Sequence, residues 1–525
     1  MGNIVPSHGA ASALPYLTFI ILLPIIFGLI VGVLPKDKGG IAKVIGGIGM
    51  AATAVLAVAI MFIFATGKSG YQMVTDHTWI SQLGISWHFG VDGLSLFLVV
   101  LVALLAPIAL YGAQEKYRTT SFVAWVLILE GACIGSFLAL DVFVFFIFFE
   151  LTLIPTYFMV AGWGGKERGK AALKFFLYTL LGSAFLLAGM LILAGLHQSQ
   201  TGTLTFDLTE LAKTHLTYST EVLLFLCFSA AFVVKTPIFP FHTWSPLAYK
   251  ESPIAGAVML AGVMAKLGTY GLVRFDLTLF PRASYRLAPL FLTLGVIGII
   301  YGAVVAAWQK DFKRLVAFSS LSHLGFVVLG IFAFTAQGLT GGILQMFNHG
   351  IVTAAMFLLI GMITRRTGSW QISSLGGIQR VAPVLAGITM VVVLAGLGLP
   401  GLNGFVGEFL ILTGTFLLHR WWAVAAAGGV ILSAVYLLWA YQRAFHGTPD
   451  EGIVSRMKEI NIKESLILAP LIALIVFIGV FPAPMLDRIT PTANSIVAHV
   501  DSANHVAPPS TGAKSTLSSS NGGGK

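Results

Sequence analysis

Residues 142–163 read VFVFFIFFELTLIPTYFMVAGW, twenty-two positions whose single charge is Glu150. A helix needs about 20 apolar residues to cross a bilayer, so this stretch is a membrane span with a carboxylate near its middle. Similar runs occur at 16–34, 41–65, 93–112, 121–140, 174–196, 219–240, 253–275, 288–308, 314–335, 342–364, 384–417, 421–445 and 464–486. The fold expected is all-α: a polytopic membrane protein of about fourteen transmembrane helices. Composition agrees, since of 525 residues 57% are hydrophobic and 10% charged, with mean hydropathy +0.90. Soluble domains carry about 25% charged residues, so a soluble globular enzyme is excluded.

The net charge of +10 is scattered through short loops. That argues against nucleic acid as a partner and for loops that set orientation, because Lys and Arg favour the cytoplasmic side. Twenty basic residues fall on one side and nine on the other, with Lys235 and Lys266 inside spans. The richer side is expected to be cytoplasmic and both termini non-cytoplasmic. The first fifteen residues lack a basic n-region, so the first apolar run is expected to be retained. The Ser-, Gly- and Pro-rich residues 501–525 read as a disordered tail. Cys133 and Cys227 lie in apolar runs and read as small packing residues, too few for a cysteine-ligated cluster. No nucleotide-binding loop, dinucleotide fingerprint or metal-ligand spacing is present. No cofactor and no metal are expected in the chain.

A charge at a helix centre costs about 2.5–3.5 kcal/mol on the insertion scale, so mid-span ionisable residues need a reason. Glu150, Lys235 in AFVVKTPIFPFH, Lys266 in AGVMAKLGTYG and Glu408 in LPGLNGFVGEFL are four of them. Burial penalises their charged forms and a nearby opposite charge restores them, so proton occupancy becomes switchable. A proton or ion relay is the reading, against helix-gluing ion pairs. His323 in SSLSHLGF and His349 in LQMFNHGIV are candidate shuttles, with Ser319 and Gln345 four residues earlier on the same faces. Axial haem ligation by this pair is the minor alternative. Glu130 stays open between assisting Glu150 and bonding backbone. Asp141, at a span end, is expected to be solvated. The FFIFF cluster at 145–149 and the Trp pair near 421 are expected to face lipid or the interface.

Pro237 and Pro240 follow Lys235, and Pro400 precedes Glu408. Proline removes a backbone donor and breaks helices, so the seventh and twelfth spans should be discontinuous, the best sequence pointer to a transport site. Lys235 to Glu408 and Glu150 to His323 are both 173 residues apart. The match suggests a duplicated five-helix unit whose odd span count inverts one copy. The expected division is 1–120 for helices 1–3, 121–275 for helices 4–8, 288–446 for the inverted helices 9–13, 464–486 for the last span, and the tail.

Six segments carry a resemblance: ALDVFVFFIFFELTLIPTYFMVAGWG, KTPIFPFHTW, AGVMAKLGTYGLVRF, QKDFKRLVAFSSLSHLGF, FNHGIVTAAMFLLIG and LPGLNGFVGEF. Across about 90–480 the chain resembles the antiporter-like membrane subunits of NADH-quinone oxidoreductase, respiratory complex I, most closely the subunit M (chain 4) type. The resemblance implies fourteen core helices, inverted repeats and a central proton path. In it Glu150 and Lys235 would form the coupled pair, Lys266 the bridge, His323 and His349 the continuation, and Glu408 the outer terminal group. It also implies neighbours of the L and N types, a bacterial inner membrane, and coupling to quinone reduction elsewhere in the complex. One departure stands out: where the family usually reads HTWLPDAHxEAP, this chain reads HTWSPLAYKESP, placing Leu247 for the aspartate and Tyr249 for the histidine. Proton entry near that loop, or contact with a neighbour, is therefore put in doubt. The rival assignments are a multi-subunit sodium/proton antiporter, a membrane-bound hydrogenase or formate-linked complex, and a scaffold whose polar axis only packs helices.

Overall fold

The computed structural model describes residues 15–113, 119–449 and 451–505. It is mostly helical, and eleven of its helical stretches are long and apolar enough to cross a membrane, with three shorter apolar helices besides. The chain opens with α1 (Tyr16–Gly32) and α2 (Gly39–Ile63). An antiparallel hairpin follows, β1 (Gln72–Ile80) and β2 (Ile85–Val91), which the all-α expectation did not contain. Next come α3 (Leu96–Gly112), α4 (Thr120–Leu138), and a span made of α5 (Val142–Leu151) and α6 (Leu153–Trp163). A long helix α7 (Arg168–Thr201) and a single turn α8 (Leu208–Leu211) lead into α9 (Tyr218–Lys235).

Helix α9 stops at Lys235, because Pro237 has no N–H to continue the ladder. Residues 236–244 are irregular, and α10 (Ser245–Glu251) resumes the direction. The next span runs Ile254–Leu279 as α11 (Ile254–Met259), α12 (Ala265–Gly271) and α13 (Leu277–Leu279), with π-helical turns at Leu260–Met264 and Leu272–Asp276 between them. Then come α14 (Pro281–Ala307), α15 (Phe312–Ile331) and α16 (Ala336–Thr367), started by the side-chain caps Asp311 and Thr335 on the last two. After a short α17 (Ile378–Val381), α18 (Pro383–Gly396) is interrupted over 397–402 before α19 (Asn403–Phe445), which kinks at the non-helical His419. A short α20 (Glu451–Arg456) precedes α21 (Ile462–Val480), opened by an Asn461–Glu464 capping box. The last helix is α22 (Ala483–Ala503).

Burial sorts these helices into an inner and an outer set. The Ile254–Leu279 span and α16 are buried along their apolar middles, and α4 and α15 nearly so, whereas α2, α7, α19 and α21 turn large apolar faces outward. Outward apolar side chains such as Leu181, Trp421, Ile431 and Val480 fit a lipid-facing ring.

Three expectations are corrected here. Asp141 is not solvated: it is fully buried, caps α5 through Phe143 N and Val144 N, and accepts Ser86 N from β2 at 2.9 Å. The hairpin that supplies Ser86 lies over this junction, which removes the water the sequence reading assumed. Phe145, Phe148 and Phe149 of the FFIFF cluster are buried in the core, while Phe146 and Ile147 stay partly exposed, because α5 packs its inner face against the bundle. The last apolar helix ends at Val480, and α22 carries the chain on to Ala503 with an apolar side facing the bundle. The expected tail is thus helical up to 503, and residues 506–525, like the first fourteen, lie outside the described residues.

Candidate functional site

Lys235 sits at the broken end of α9, with 2% of its surface exposed. Its Nζ donates to Thr152 Oγ1 at 2.9 Å and approaches Phe149 O at 3.5 Å. The ammonium also stands 4.4 Å from the centre of the Phe149 ring, a cation–π contact. Both Thr152 and Phe149 belong to the motif first quoted, where the helix has a one-residue irregularity between α5 and α6. Glu150 is half-buried on the same turn, yet no ion pair within 4 Å joins it to Lys235 among the described residues. Its carboxylate is turned toward Ser183 of α7 and its Oε1 has no hydrogen-bond partner. The two opposite charges that the sequence pairs are therefore held apart, close enough to attract and each supported by a different helix.

The close approach of α9 to α12 rests on Gly268. A Cβ there would come within 2.2 Å of Thr236 Oγ1 and 2.4 Å of Phe232 O. The absence of a side chain lets the helix carrying Lys266 lie directly against the end of the helix carrying Lys235.

Lys266 is fully buried. The π-turn before it leaves the Ala261 carbonyl out of the regular ladder, and Lys266 Nζ donates to it at 2.5 Å. Such one-turn π segments recur at functional sites. The same Nζ contacts His349 Nδ1 at 2.8 Å. An ammonium has donors only, so with Lys266 charged the histidine accepts at Nδ1 and keeps its proton on Nε2. The His349 and His323 ring centres are 5.7 Å apart. His323 Nδ1 is 2.8 Å from Glu408 Oε1, and Gln345 Nε2 donates to the same oxygen at 3.2 Å. Glu408 is fixed by the break before it: Asn348 Nδ2 holds Asn403 O at the start of α19 at 2.8 Å. Gly398, at φ +76°, would bring a Cβ within 2.8 Å of Glu408 Oε2.

A cavity of about 10 Å³ borders His323, Gln345, His349 and Glu408, roughly the space of one water. His349 Nε2 and Gln345 Oε1, both buried at its margin, have no protein partner. The groups from Lys266 to Glu408 thus form two direct hydrogen-bonded pairs separated by a ring-to-ring gap lined with polar atoms. The structure brings all six predicted residues into the interior or its edge. Four of them, Lys266, His349, His323 and Glu408, lie in one contiguous run, while Lys235 and Glu150 stand apart from it.

Of the secondary candidates, Ser319 reaches Tyr436 OH at 2.7 Å and Gln345 reaches Glu408. Glu130 is fully buried with both carboxylate oxygens unpartnered, so it does not bond backbone. Cys133, one turn along α4, lies within electrostatic range of both Glu130 and Lys235. The residues that sequence reasoning missed are Thr152 and Phe149, which hold Lys235, and Tyr436. Thr152 was findable as the one hydroxyl beside Glu150 within the apolar run, whereas nothing in the sequence marks Tyr436.

A second polar region lies where the loops carrying Lys166, Lys250 and Lys313 meet. Lys313 Nζ, almost buried, donates to Lys250 O at 3.1 Å and Ser252 O at 2.8 Å, and stands 5.0 Å from the Trp370 ring centre. Glu251 accepts Glu167 N at 3.0 Å. These side chains line a recess of about 450 Å³.

The family model described as NADH:quinone oxidoreductase/Mrp antiporter, transmembrane, matches residues 139–434. NADH-quinone oxidoreductase subunit M of Mycobacterium tuberculosis H37Rv is 38% identical over 93% of this chain and 94% of its own length. NADH-ubiquinone oxidoreductase chain 4 of Marchantia polymorpha is 36% identical over 92% and 97%. Among solved structures, a chain of respiratory complex I from Thermus thermophilus superposes with TM-score 0.84 at 32% identity, covering 92% of this chain and 99% of that one. A chain of the Mrp complex from Dietzia, 21% identical over 93% and 100%, shares the fold with TM-score 0.79. With a family match over more than half its length and relatives this similar end to end, the chain belongs to the NADH:quinone oxidoreductase/Mrp antiporter transmembrane family, on its subunit M branch.

Proposed function

We propose that this chain is a proton-translocating membrane subunit of NADH-quinone oxidoreductase, seated in the bilayer beside other membrane subunits and driven by quinone reduction elsewhere in the complex. It contributes no redox centre of its own. Adding α1 and α3, joining α18 to the first half of kinked α19 as one broken crossing, and counting the second half of α19 as another brings the reading from eleven to fourteen crossings, in two inverted five-helix units over 121–275 and 288–446. The basic-loop end faces the cytoplasm and both termini face away from it. Protons are held on Lys235 and Lys266 and leave through His349, His323 and Glu408.

The observation that carries this is the buried run Lys266–His349 and His323–Glu408, with 2.8 Å contacts at both ends. A scaffold needs no such order, because replacing buried polar pairs with apolar packing is often neutral or stabilising. Glu150 modulates the path: its carboxylate, approaching Lys235 or parting from it, changes how firmly Lys235 holds its proton and so when that proton can move toward Lys266.

The test uses the assembled complex in inverted membrane vesicles. Lys266→Ala and Glu408→Gln should assemble and still reduce ferricyanide with NADH. Quinone-linked proton uptake should fall by about 10²-fold, the lower scale for losing one proton-transfer group. Parental uptake in both variants would sink the proposal.

A further inference from the structure

The ends of α2, α3, α16 and α21 that adjoin the basic loops enclose an open recess of about 950 Å³. None of the six path residues borders it, and it shares with the smaller recess only Thr364, whose Oγ1 is buried without a protein partner. Three helices each bring a cation to its rim: Lys43 from α2, Arg365 from α16 and Lys463 from α21. The one acid among its described lining residues, Glu464, is already neutralised. Both of its oxygens accept from Arg366, at 2.9 and 2.6 Å, and it closes the Asn461 capping box. Its ion pair is therefore with Arg366 and not with Arg365 or Lys463. Arg365 donates to Gly112 O at the end of α3 at 3.2 Å, which holds the guanidinium at the rim. A Cβ at Gly47 would collide with the Tyr111 hydroxyl, so the missing side chain lets the phenol lie against α2, where Lys43 Nζ is 5.2 Å from its ring centre.

Below the charges the walls turn apolar. On α21, Leu466 and Ile467 follow Lys463 by three and four residues, hence on the same face and about 4.5–6 Å deeper in the membrane. On α3, which runs toward the basic-loop side, Pro107 and Ile108 precede Tyr111 by the same offsets and so lie deeper as well. Leu466 is 68% exposed. This layering selects the occupant. A free anion needs no apolar floor, whereas an apolar partner helix would bury Arg365 and Lys463 without a counter-charge, at several kcal/mol per ion. A molecule with an anionic head and a hydrocarbon tail meets both layers.

We infer that this recess is a binding site for an anionic diacyl phospholipid. Its phosphate sits on Arg365 and Lys463, with Lys43 completing the rim, and one acyl chain runs down past Ile108 and Leu466. Arginine suits the head group because its planar fork matches phosphate oxygens, and basic pockets between membrane helices on the cytoplasmic side take such head groups.

The probe is phosphatidylglycerol with a photoreactive diazirine on one acyl chain, a minor component of phosphatidylcholine vesicles that hold the assembled complex. After irradiation, the peptides containing Pro107–Tyr111 and Leu466–Ile467 should be labelled, and unlabelled phosphatidylglycerol should displace the probe. Arg365→Gln and Lys463→Gln should each lower that labelling about fivefold, the attraction of one basic residue for an anionic lipid surface. Arg365→Lys and Lys463→Arg, which keep the charge, should retain most of it. Labelling elsewhere on the same complex is the internal standard, which separates poor assembly from poor binding. Equal labelling of these peptides by a phosphatidylcholine probe, or parental labelling in both Gln variants, overturns the inference. Displacement by inorganic phosphate alone would show a free-anion site, and label absent from these peptides but present elsewhere would show a neighbouring subunit covering the recess. Either of those results overturns it as well.

Discussion

A lysine in lipid persists only where something replaces its hydration. Lys235 has a threonine hydroxyl and an aromatic face, and Lys266 a carbonyl released by a π-turn together with a histidine nitrogen. Both lysines were legible as charges inside apolar runs, but their supports were not, because a freed carbonyl or a neighbouring ring leaves no mark on composition. The same scale governs the hairpin's anchor outside the spans, where His88 of β2 pairs with Asp207, the cap of α8. Burial alone would lower the His88 pKa, but the Asp207 carboxylate outweighs it and the imidazole is raised above 6.5. Burial would likewise raise Asp207, but the imidazolium beside it and Thr209 pull the carboxyl down to about 2. A raised histidine stabilises below pH 6.5 and loses that contribution as pH climbs through its folded value. A lowered aspartate stabilises above 3.8 and loses it as pH falls toward 2. Amide hydrogen exchange of the hairpin should therefore be slowest between these limits, with protection falling by about 2 kcal/mol toward the acid end. In His88→Ala the alkaline loss should vanish. Protection in the parent that does not change between pH 6 and 9 would contradict the assignment of a raised imidazole.

At the scale of elements, the two interruptions are the devices that deliver side chains to the interior. Pro237 ends α9 so that Lys235 becomes its last residue, and the gap at 397–402 starts α19 afresh so that Glu408 projects from the first turns of a half-helix. Broken helices at membrane depth are tolerated where they are buried in protein. Gly398 couples the second break to the site, having both a positive φ and a close approach to Glu408 Oε2. Gly398→Ala should cost about 1–3 kcal/mol from backbone strain and push the carboxylate away from His323. The thermal midpoint of the complex should fall, with proton uptake reduced more than electron transfer. An unchanged midpoint and uptake would show that the break relaxes freely. The breaks were readable from their prolines. The hairpin and α22 were not, since a scan for long apolar runs passes over short strands and over a helix that is apolar on one side only.

For the whole molecule, a buried cross-tie outside the path is Arg274. Its guanidinium donates to Asp92 at 2.7 Å, Tyr71 OH at 3.0 Å and Tyr270 OH at 3.0 Å, all of them buried. It joins the fully buried Ile254–Leu279 span to the start of α3 and the foot of the hairpin. Removing one member of a buried ion pair leaves the other uncompensated, at about 3–5 kcal/mol. Arg274→Ala should therefore sharply lower the amount of assembled complex in the membrane, and Asp92→Asn together with Arg274→Gln should recover part of it. Normal assembly of the single variant would show that Asp92 finds water or another partner.

The sequence by itself determined that the chain lives in a membrane, that helices break after Lys235 and before Glu408, and which ionisable residues need a reason to be there. All of these follow from one-dimensional quantities: run length, a charge within a run, a proline at a known position. Only the tertiary structure decided that Lys235 turns to Thr152 and away from Glu150, that His349 pairs with Lys266 across a gap from His323, that Asp141 is dry beneath a hairpin, and that Tyr249 faces Ser320. Each of those depends on groups brought together from distant parts of the chain. Contact between them is set by how glycine-thinned helices pack against one another, which no local pattern encodes.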